Sequence, residues 1–361
     1  MYGTLPEPSS GEYRADRNAS RTLRDKTERI RLLATPAAVH ALRVPTPFAV
    51  GDVNCYLIDG HPLTLIDTGT KTEESAAILR AGLDGLGYRL GDIEQLILTH
   101  GHIDHIGLAA EIARSREAFG KPRPNVLVHA EDMVRVAQYE TFTKQRMKSY
   151  ADIMHSSGVS PKDAPGVTER MMTHYFLSMG ESVSDVRPLV EGDVLESGIG
   201  QLRVLWVPGH SQGSICLVNE ENRLIFSGDH ILGDISSNPS LDFDVTTEIP
   251  MLTYLRSLDK LLPFDGSTIL PGHRKPIFNL KHRVDELKEE YARKLSLAED
   301  TLGPKPKTVY EISRVIYGNY DMDSMILALA ECTDLLRILE QKGHARLETV
   351  EGVVYAYSVD D

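Results

Sequence analysis

The chain has 361 residues, of which 41% are apolar and 25% charged, and carries a formal charge of −13 from 39 Lys/Arg and 52 Asp/Glu. That length predicts one large domain, or one large and one small, with a sizeable core, and the composition excludes a disordered or fibrous chain. The negative charge disfavours nucleic acid and anionic membranes as partners, and no stretch approaches the roughly 20 apolar residues of a membrane span.

Residues 1 to about 35 form a polar N-terminal arm that ends in a predicted short helix around Thr22 to Leu33. Its basic residues are interspersed with acidic ones and it has no apolar run, so it matches neither a secretory signal nor a transit peptide, and a cytoplasmic location is expected. Cys55, Cys216 and Cys332 are far apart and lack CxxC spacing, which argues against a disulfide framework or a thiolate metal site. From Ala41 short apolar runs alternate with Gly and Asp turns: FAVGDVNCYLIDG, PLTLIDTGT, QLILTH, NVLVHA, RVLWVPGH, SICLVN, RLIFSGD and STILPGH read as strands, and SAAILRAGLDGL as an amphipathic helix. Several of these runs stop at a polar tip, which places candidate ligands at strand ends over residues 36–280. Glu131 to about Val190 interrupts the pattern. It holds six of the ten Met residues, with Tyr139, Phe142, Met147, Tyr150 and Met154 near helical spacing, and is expected to be a helical insertion. Residues 281–361 read as helix, helix, helix and then two short strands around Glu351-Gly352, a small winged-helix-like α+β domain.

The strongest chemical signal is Thr99-His100-Gly101-His102-Ile103-Asp104-His105, directly after an apolar run. Alternate residues of an extended segment project the same way, so His100 and His102 can reach one ion, and the following turn lets Asp104 and His105 face a second. Imidazole nitrogen with carboxylate oxygen suits Zn²⁺, and also Mn²⁺ or Fe. Further candidates recur at strand tips, in Pro208-Gly209-His210, Ser227-Gly228-Asp229 and Pro271-Gly272-His273. A chance cluster of surface histidines would not repeat in this way.

The motifs LIDTG, THGHIDH, PGH, SGD and a second PGH resemble, in order and spacing, those of the metallo-β-lactamase superfamily, from about Val44 to Ile277. The resemblance implies a four-layered αβ/βα sandwich. It implies that His100, His102 and His210 hold a first metal, that Asp104, His105 and His273 hold a second, and that Asp229 bridges them, with two Zn²⁺ per chain. Asp67 of LIDTG matches a family Asp that does not ligate; its expected role is to fix a ligand tautomer or the hydroxide. His230 follows Asp229 outside the ligand positions and is expected to be a structural or pocket-edge residue. The region after SGD and the winged-helix-like tail resemble a lactamase-β-like-2-type branch that mixes chemistries.

Two adjacent cations would supply a bridging hydroxide at neutral pH, with Asp104 placed to relay a proton. No GxSxG motif suggests a serine nucleophile. If the insertion lines the cleft, Tyr150, Met171, Tyr175 and Phe176 would form an apolar pocket suited to an acyl group, favouring a small ester, lactone or thioester over RNA. The alternatives are a single-stranded RNA endoribonuclease and a ligand-sensing winged-helix regulator. The tail carries 11 Lys/Arg against 16 Asp/Glu and its candidate second helix, MILALAECTDLLRILEQKG, is mostly apolar, a poor match for DNA. It is expected to pack on the hydrolase domain, close its cleft or mediate homodimerisation.

Overall fold

The computed structural model describes residues 27–30, 38–160, 162, 169–242, 248–320 and 322–359. The expected N-terminal arm lies outside the described residues apart from Thr27–Ile30. Those four residues are a strand, β1, and not the expected helix; β1 (Thr27–Ile30) pairs antiparallel with β2 (Val39–Val44), Thr27 opposite Leu42. An open sheet edge offers partners to the backbone groups that face it, and a short isolated helix is only marginally stable.

β1 and β2 begin a seven-stranded sheet that continues in chain order through β3 (Val53–Ile58), β4 (Thr64–Ile66), β5 (Gln95–Ile97), β6 (Asn125–His129) and β7 (Val186–Leu189). Its first half is antiparallel and its second half, from β4 to β7, is parallel. A second sheet, ordered β12-β11-β10-β9-β8, is built from β8 (Val194–Ser197), β9 (Gly200–Trp206), β10 (Ile215–Asn219), β11 (Leu224–Gly228) and β12 (Thr268–Pro271).

Period-two alternation assigns each strand face to a layer. In β3, Tyr56 and Ile58 point between the sheets, where they meet Val204, Leu217 and Phe226. The alternate residues Val53, Cys55 and Leu57 point outward against Leu79 and Leu83 of α1 (Glu73–Gly85) and Ile112 of α3 (Ala109–Ala118). Between those helices lies the short α2 (Ile103–Ile106). On the far side, Cys216 and Val218 of β10 pack under α7 (Pro250–Asp259) and α8 (Leu280–Thr301). Helix, sheet, sheet, helix is thus the layering, as the family resemblance implied.

The insertion contains α4 (Met133–Ala137), α5 (Tyr139–Ser156) and α6 (Glu169–Leu177). Its last part departs from the expectation, because Val186–Leu189 returns to the sheet as edge strand β7. Pro188 lacks an N–H, and an edge is where a strand tolerates that loss.

The C-terminal module follows α8 with β13 (Lys307–Thr308), α9 (Val309–Tyr317), α10 (Met322–Gln341) and a hairpin of β14 (Ala345–Val350) and β15 (Val353–Ser358). Positive φ at both Glu351 (51°) and Gly352 (84°) gives the two-residue turn that matches strand twist. Its apolar faces do not form a separate core: Ile312, Leu329 and Leu335 join Leu205, Val218 and Ile225 of the second sheet in one cluster. Among the described residues no helix is long and apolar enough to cross a membrane.

One buried carboxylate ties this module to the layered sandwich. Asp334 of α10 accepts hydrogen bonds from Ser240 Oγ (2.9 Å) and Met251 N (3.0 Å). Burial pushes its carboxyl up to about 6, with the Met251 amide, the Ser240 hydroxyl and Arg337 offsetting only part of that. Between the ordinary value of 3.8 and about 6 the folded state therefore holds a proton that the unfolded chain has released, so this contribution to stability is full below 3.8 and is lost as pH rises from there through about 6. Asp334→Asn, which keeps an acceptor without the charge, is expected to raise the melting temperature at pH 8 by a few degrees and to leave it nearly unchanged at about pH 3.5. Calorimetry at the two pH values checks this; equal destabilisation at both would contradict it.

Candidate metal centre

Five strand ends converge on one point. Asp67 follows β4, residues 99–102 follow β5, His210 follows β9, Asp229 follows β11 and His273 follows β12. His102 is extended (φ −80°, ψ 150°) and caps α2, whose first turn swings Asp104 and His105 inward. Glycines at two tips allow the close approach. A Cβ on Gly272 would lie 2.4 Å from Asp229 Oδ1 and 2.7 Å from His105 Cε1, and Gly228 has φ +48° with Thr99 against it.

Three groups of side chains could each hold a metal ion: His100, His102 and His210; Asp104, His105 and His273; and His100, His105 and Asp229. Within each group the ligand atoms lie within 4.8 Å of one another. His102 Nδ1 is 2.9 Å from His210 Nε2. Asp229 reaches both sides, with Oδ2 3.7 Å from His210 Nε2 and 3.6 Å from His273 Nε2, and Oδ1 3.4 Å from His105 Nε2.

The outer nitrogen of each of four imidazoles has a partner that aims the inner one. His105 Nδ1 donates to Asp67 Oδ2 (2.8 Å) and His273 Nδ1 to the Asp52 carbonyl (2.9 Å). His210 Nδ1 faces the Asn238 carbonyl (3.1 Å) and Ser237 Oγ (3.0 Å), and His100 Nδ1 faces Thr99 Oγ1 (3.1 Å). Asp67 is itself fixed by Thr99 N and Oγ1, each at 2.8 Å. What is left facing inward fits a cation: Nε2 of His100, Nε2 of His105 and Oδ1 of Asp229 are buried without a hydrogen-bond partner among the described residues. Such orphaned atoms are costly unless something electropositive meets them.

The electrostatics agree. Burial, then the imidazoles of His105, His102 and His210, hold His100 well below its ordinary value, so it is a neutral donor. Burial raises the Asp104 carboxyl, but His105 and His273 outweigh it and hold it at about 2. Burial lowers His105, yet the carboxylates of Asp229, Asp67 and Asp104 outweigh it and draw a proton onto the ring. Divalent cations would compensate the same negative charge without that proton.

A cleft of about 440 Å³ opens on His102, Asp104, His210 and Asp229. Its walls are mostly apolar and come from Phe48, the α5 stripe Tyr139, Phe142, Met147 and Tyr150, and Phe176 of α6, which stacks on Phe48 at 6.2 Å. Three expected pocket residues lie off it. Met171 and Tyr175 are 61% and 46% exposed, because α6 turns only its Phe176 side to the cleft. His230 is fully buried against the Tyr254 ring, its backbone turning inward after Asp229.

Asp132 was not legible as a site residue. Fully buried, it accepts from Gly101 N (2.7 Å), Ser211 Oγ (2.6 Å), Gly213 N (3.1 Å) and Arg135 Nε (3.0 Å), joining the loop of His100 and His102 to that of His210. Its sequence context, HAED after a strand, reads only as a helix start. Ser237 and Asn238 were missed because they lie beyond the SGD motif in a loop with no periodic pattern.

The protein-family model described as Metallo-beta-lactamase superfamily matches residues 49–273. The chain belongs to the metallo-β-lactamase superfamily. The protein named Probable metallo-hydrolase YqjP of Bacillus subtilis (strain 168) is 30% identical over 309 residues, 85% of this chain and 93% of its own length. Acyl-coenzyme A thioesterase MBLAC2 of Gallus gallus is 29% identical over 262 residues, 68% of this chain and 79% of the relative. The crystal structure of metallo-beta-lactamase family protein TTHA1429 from Thermus thermophilus superimposes with a TM-score of 0.75 at 26% identity, covering 89% of this chain and 98% of that one. The superfamily match and the metallo-hydrolase relative make this chain a metal-dependent hydrolase.

Asp67 touches the site only through His105 and Thr99, so its removal should loosen the metals without unfolding the sheet. Asp67→Asn is expected to weaken metal retention about 10- to 100-fold in a chelator competition, with the far-ultraviolet dichroism unchanged. Unaltered retention would show that the His105 tautomer is set elsewhere.

Proposed function

We propose that this protein hydrolyses acyl thioesters, with carboxylic esters and lactones as chemically related substrates, where the acyl group is apolar. The observation that carries the reading is the opening of the apolar cleft onto His102, Asp104, His210 and Asp229. His100, His102 and His210 would hold one divalent cation and Asp104, His105 and His273 a second, with the Asp229 carboxylate shared between them; the nitrogen-rich donor set favours zinc. When bound, the two ions would lower the pKa of a shared water and polarise the scissile carbonyl.

The chain's own residues supply position and dryness. Tyr139, Phe142 and Phe176 cover the reacting end of the cleft and orient an acyl group by contact. Asp104, on the cleft wall and 3.2 Å from His273 Nε2, is placed to hold or pass a proton. The thioesterase among the relatives supports sulfur as the leaving atom.

A phosphodiester reading is disfavoured by the cleft's cations. Arg135 is neutralised by Asp132 at 3.0 Å, and Arg146 is held by the Leu241 carbonyl and lies 5.1 Å over the Tyr150 ring. Arg274, the third arginine on the cleft wall, lies 3.8 Å from Asp234, and the three together form no continuous track for a nucleic-acid backbone. A DNA-reading module is disfavoured because α10 is engaged on two sides, with Leu329 and Leu335 in the core and Ile326 and Leu327 on the cleft.

Two measurements check the proposal. Metal analysis of protein purified without chelator is expected to give about two zinc-class ions per chain, and Asp229→Ala should lose both more readily than His273→Ala; a stoichiometry near zero would sink the dinuclear reading. In an acyl-coenzyme A assay, Phe176→Ala should raise KM several-fold at unchanged metal content, whereas Met171→Ala should leave it unaltered. Efficient metal-dependent cleavage of single-stranded RNA with no ester or thioester turnover would replace this reading with a ribonuclease.

A further inference from the structure

The cleft does not end within the hydrolase layers. Helix α5 lines its whole length through Tyr139, Phe142, Met147 and Tyr150, a stripe at helical spacing that rises about 16 Å. At the near end Tyr139 packs beside Ile103, the residue between His102 and Asp104: a Cβ on Gly180 would meet both side chains, 2.6 Å from Ile103 and 2.8 Å from Tyr139. At its far end α5 runs into the C-terminal module: Ser157 O accepts from Tyr310 N at 2.9 Å, and Thr308 lies against Gly158.

There α10 supplies the wall. Most of its apolar residues, including Met325 and Leu329, are buried in the large core, but Ile326 and Leu327 are only partly buried and face the cleft. Ile153, Leu241 and Ala330 form a small buried cluster against which Tyr150, Ile326 and Leu327 pack, and Leu241 shares the cleft wall with them. An apolar tail entering from the metal end would therefore run along α5 and stop against Ile326 and Tyr150. The Leu327 carbonyl accepts from Asn238 Nδ2 at 3.0 Å, which ties this turn of α10 to the segment after Asp229.

Resting on the thioester reading of this site, we propose that the C-terminal module is the acyl-length gauge of the enzyme, with Ile326 of α10 as the specificity-determining residue and Tyr150 opposite it. Enlarging the side chain at 326 should shorten the longest acyl group accepted, and reducing it should lengthen that limit, while the chemistry at the far end is untouched.

The test is a chain-length series. Acyl-coenzyme A thioesters with 2, 4, 8, 12 and 16 carbons are assayed with the zinc-loaded wild type, Ile326→Trp and Ile326→Ala, and the same series of free fatty acids is titrated for binding without turnover. Ile326→Trp is expected to lose at least 10-fold in kcat/KM and in fatty-acid affinity for the 12- and 16-carbon chains, with less than about 3-fold change for 2 and 4 carbons. Ile326→Ala should shift preference to longer chains, which also guards against a Trp variant that fails to fold. A uniform change across all lengths, or an unmoved profile, would overturn the gauge and leave the hydrolase reading standing. Should wild type bind long fatty acids, and Ile326→Trp lose that binding, with no thioester hydrolysed at any length, the gauge would stand and the reaction would fall.

Discussion

Everything in this fold answers to one constraint: five imidazoles and two carboxylates must be held with their ligand atoms a few ångströms apart, out of water. Left alone they would repel, take up protons or turn away. The structure prevents this by fixing the outer atom of nearly every ring. Asp67 holds His105, the Asp52 carbonyl holds His273, and the Ser237–Asn238 segment holds His210. Asp132 then clamps the two loops together through a buried pair with Arg135, whose loss on removing one partner would be expected to cost about 3–5 kcal/mol. Such aim requires rigid supports, which is why the ligands sit at strand ends and not in free loops.

The C-terminal module belongs to the same arrangement. The segment after Asp229 carries both a site wall and the partners of His210, and it is gripped from behind by α8 and by the module's α10. Arg283 of α8 donates to the carbonyls of Leu232 and Ile235, and Lys294 of α8 reaches Ser236 Oγ at 3.2 Å. From α10, the Leu327 carbonyl accepts from Asn238 and the Asp334 carboxylate from Ser240. Two hydrogen bonds in series thus link α10 to a ligand histidine. An appended helical module has become a structural component of the centre and of the cleft it serves.

The convergence of these seven side chains was legible in the sequence because metal chemistry demands particular residue types at particular spacings, and short apolar runs announce the strands that present them. His100 and His102 alternate on extended chain, and Gly before His210, Asp229 and His273 marks close packing. The two-sheet layering came through the resemblance, since short buried strands do not reveal their partners. What failed was whatever depends on which way a helix faces. Met171, Tyr175 and Phe176 sit on one short helix, and only the fold decides that Phe176 alone meets the cleft. Asp132 was hidden for a related reason: its four donors come from positions 31 to 81 residues away or from its own turn, and no local pattern records them. The strand at Thr27–Ile30 depended on an available sheet edge, which is likewise a tertiary fact.

The seven side chains are proposed to close around two cations that share Asp229. Anomalous diffraction from crystals of the zinc-loaded protein, recorded on both sides of the zinc edge, tests this most directly. The account predicts two peaks roughly 3.5–4 Å apart, one contacting His100, His102 and His210, the other Asp104, His105 and His273, with the Asp229 carboxylate between them. A single fully occupied peak, or two peaks with Asp229 in contact with neither, would contradict it.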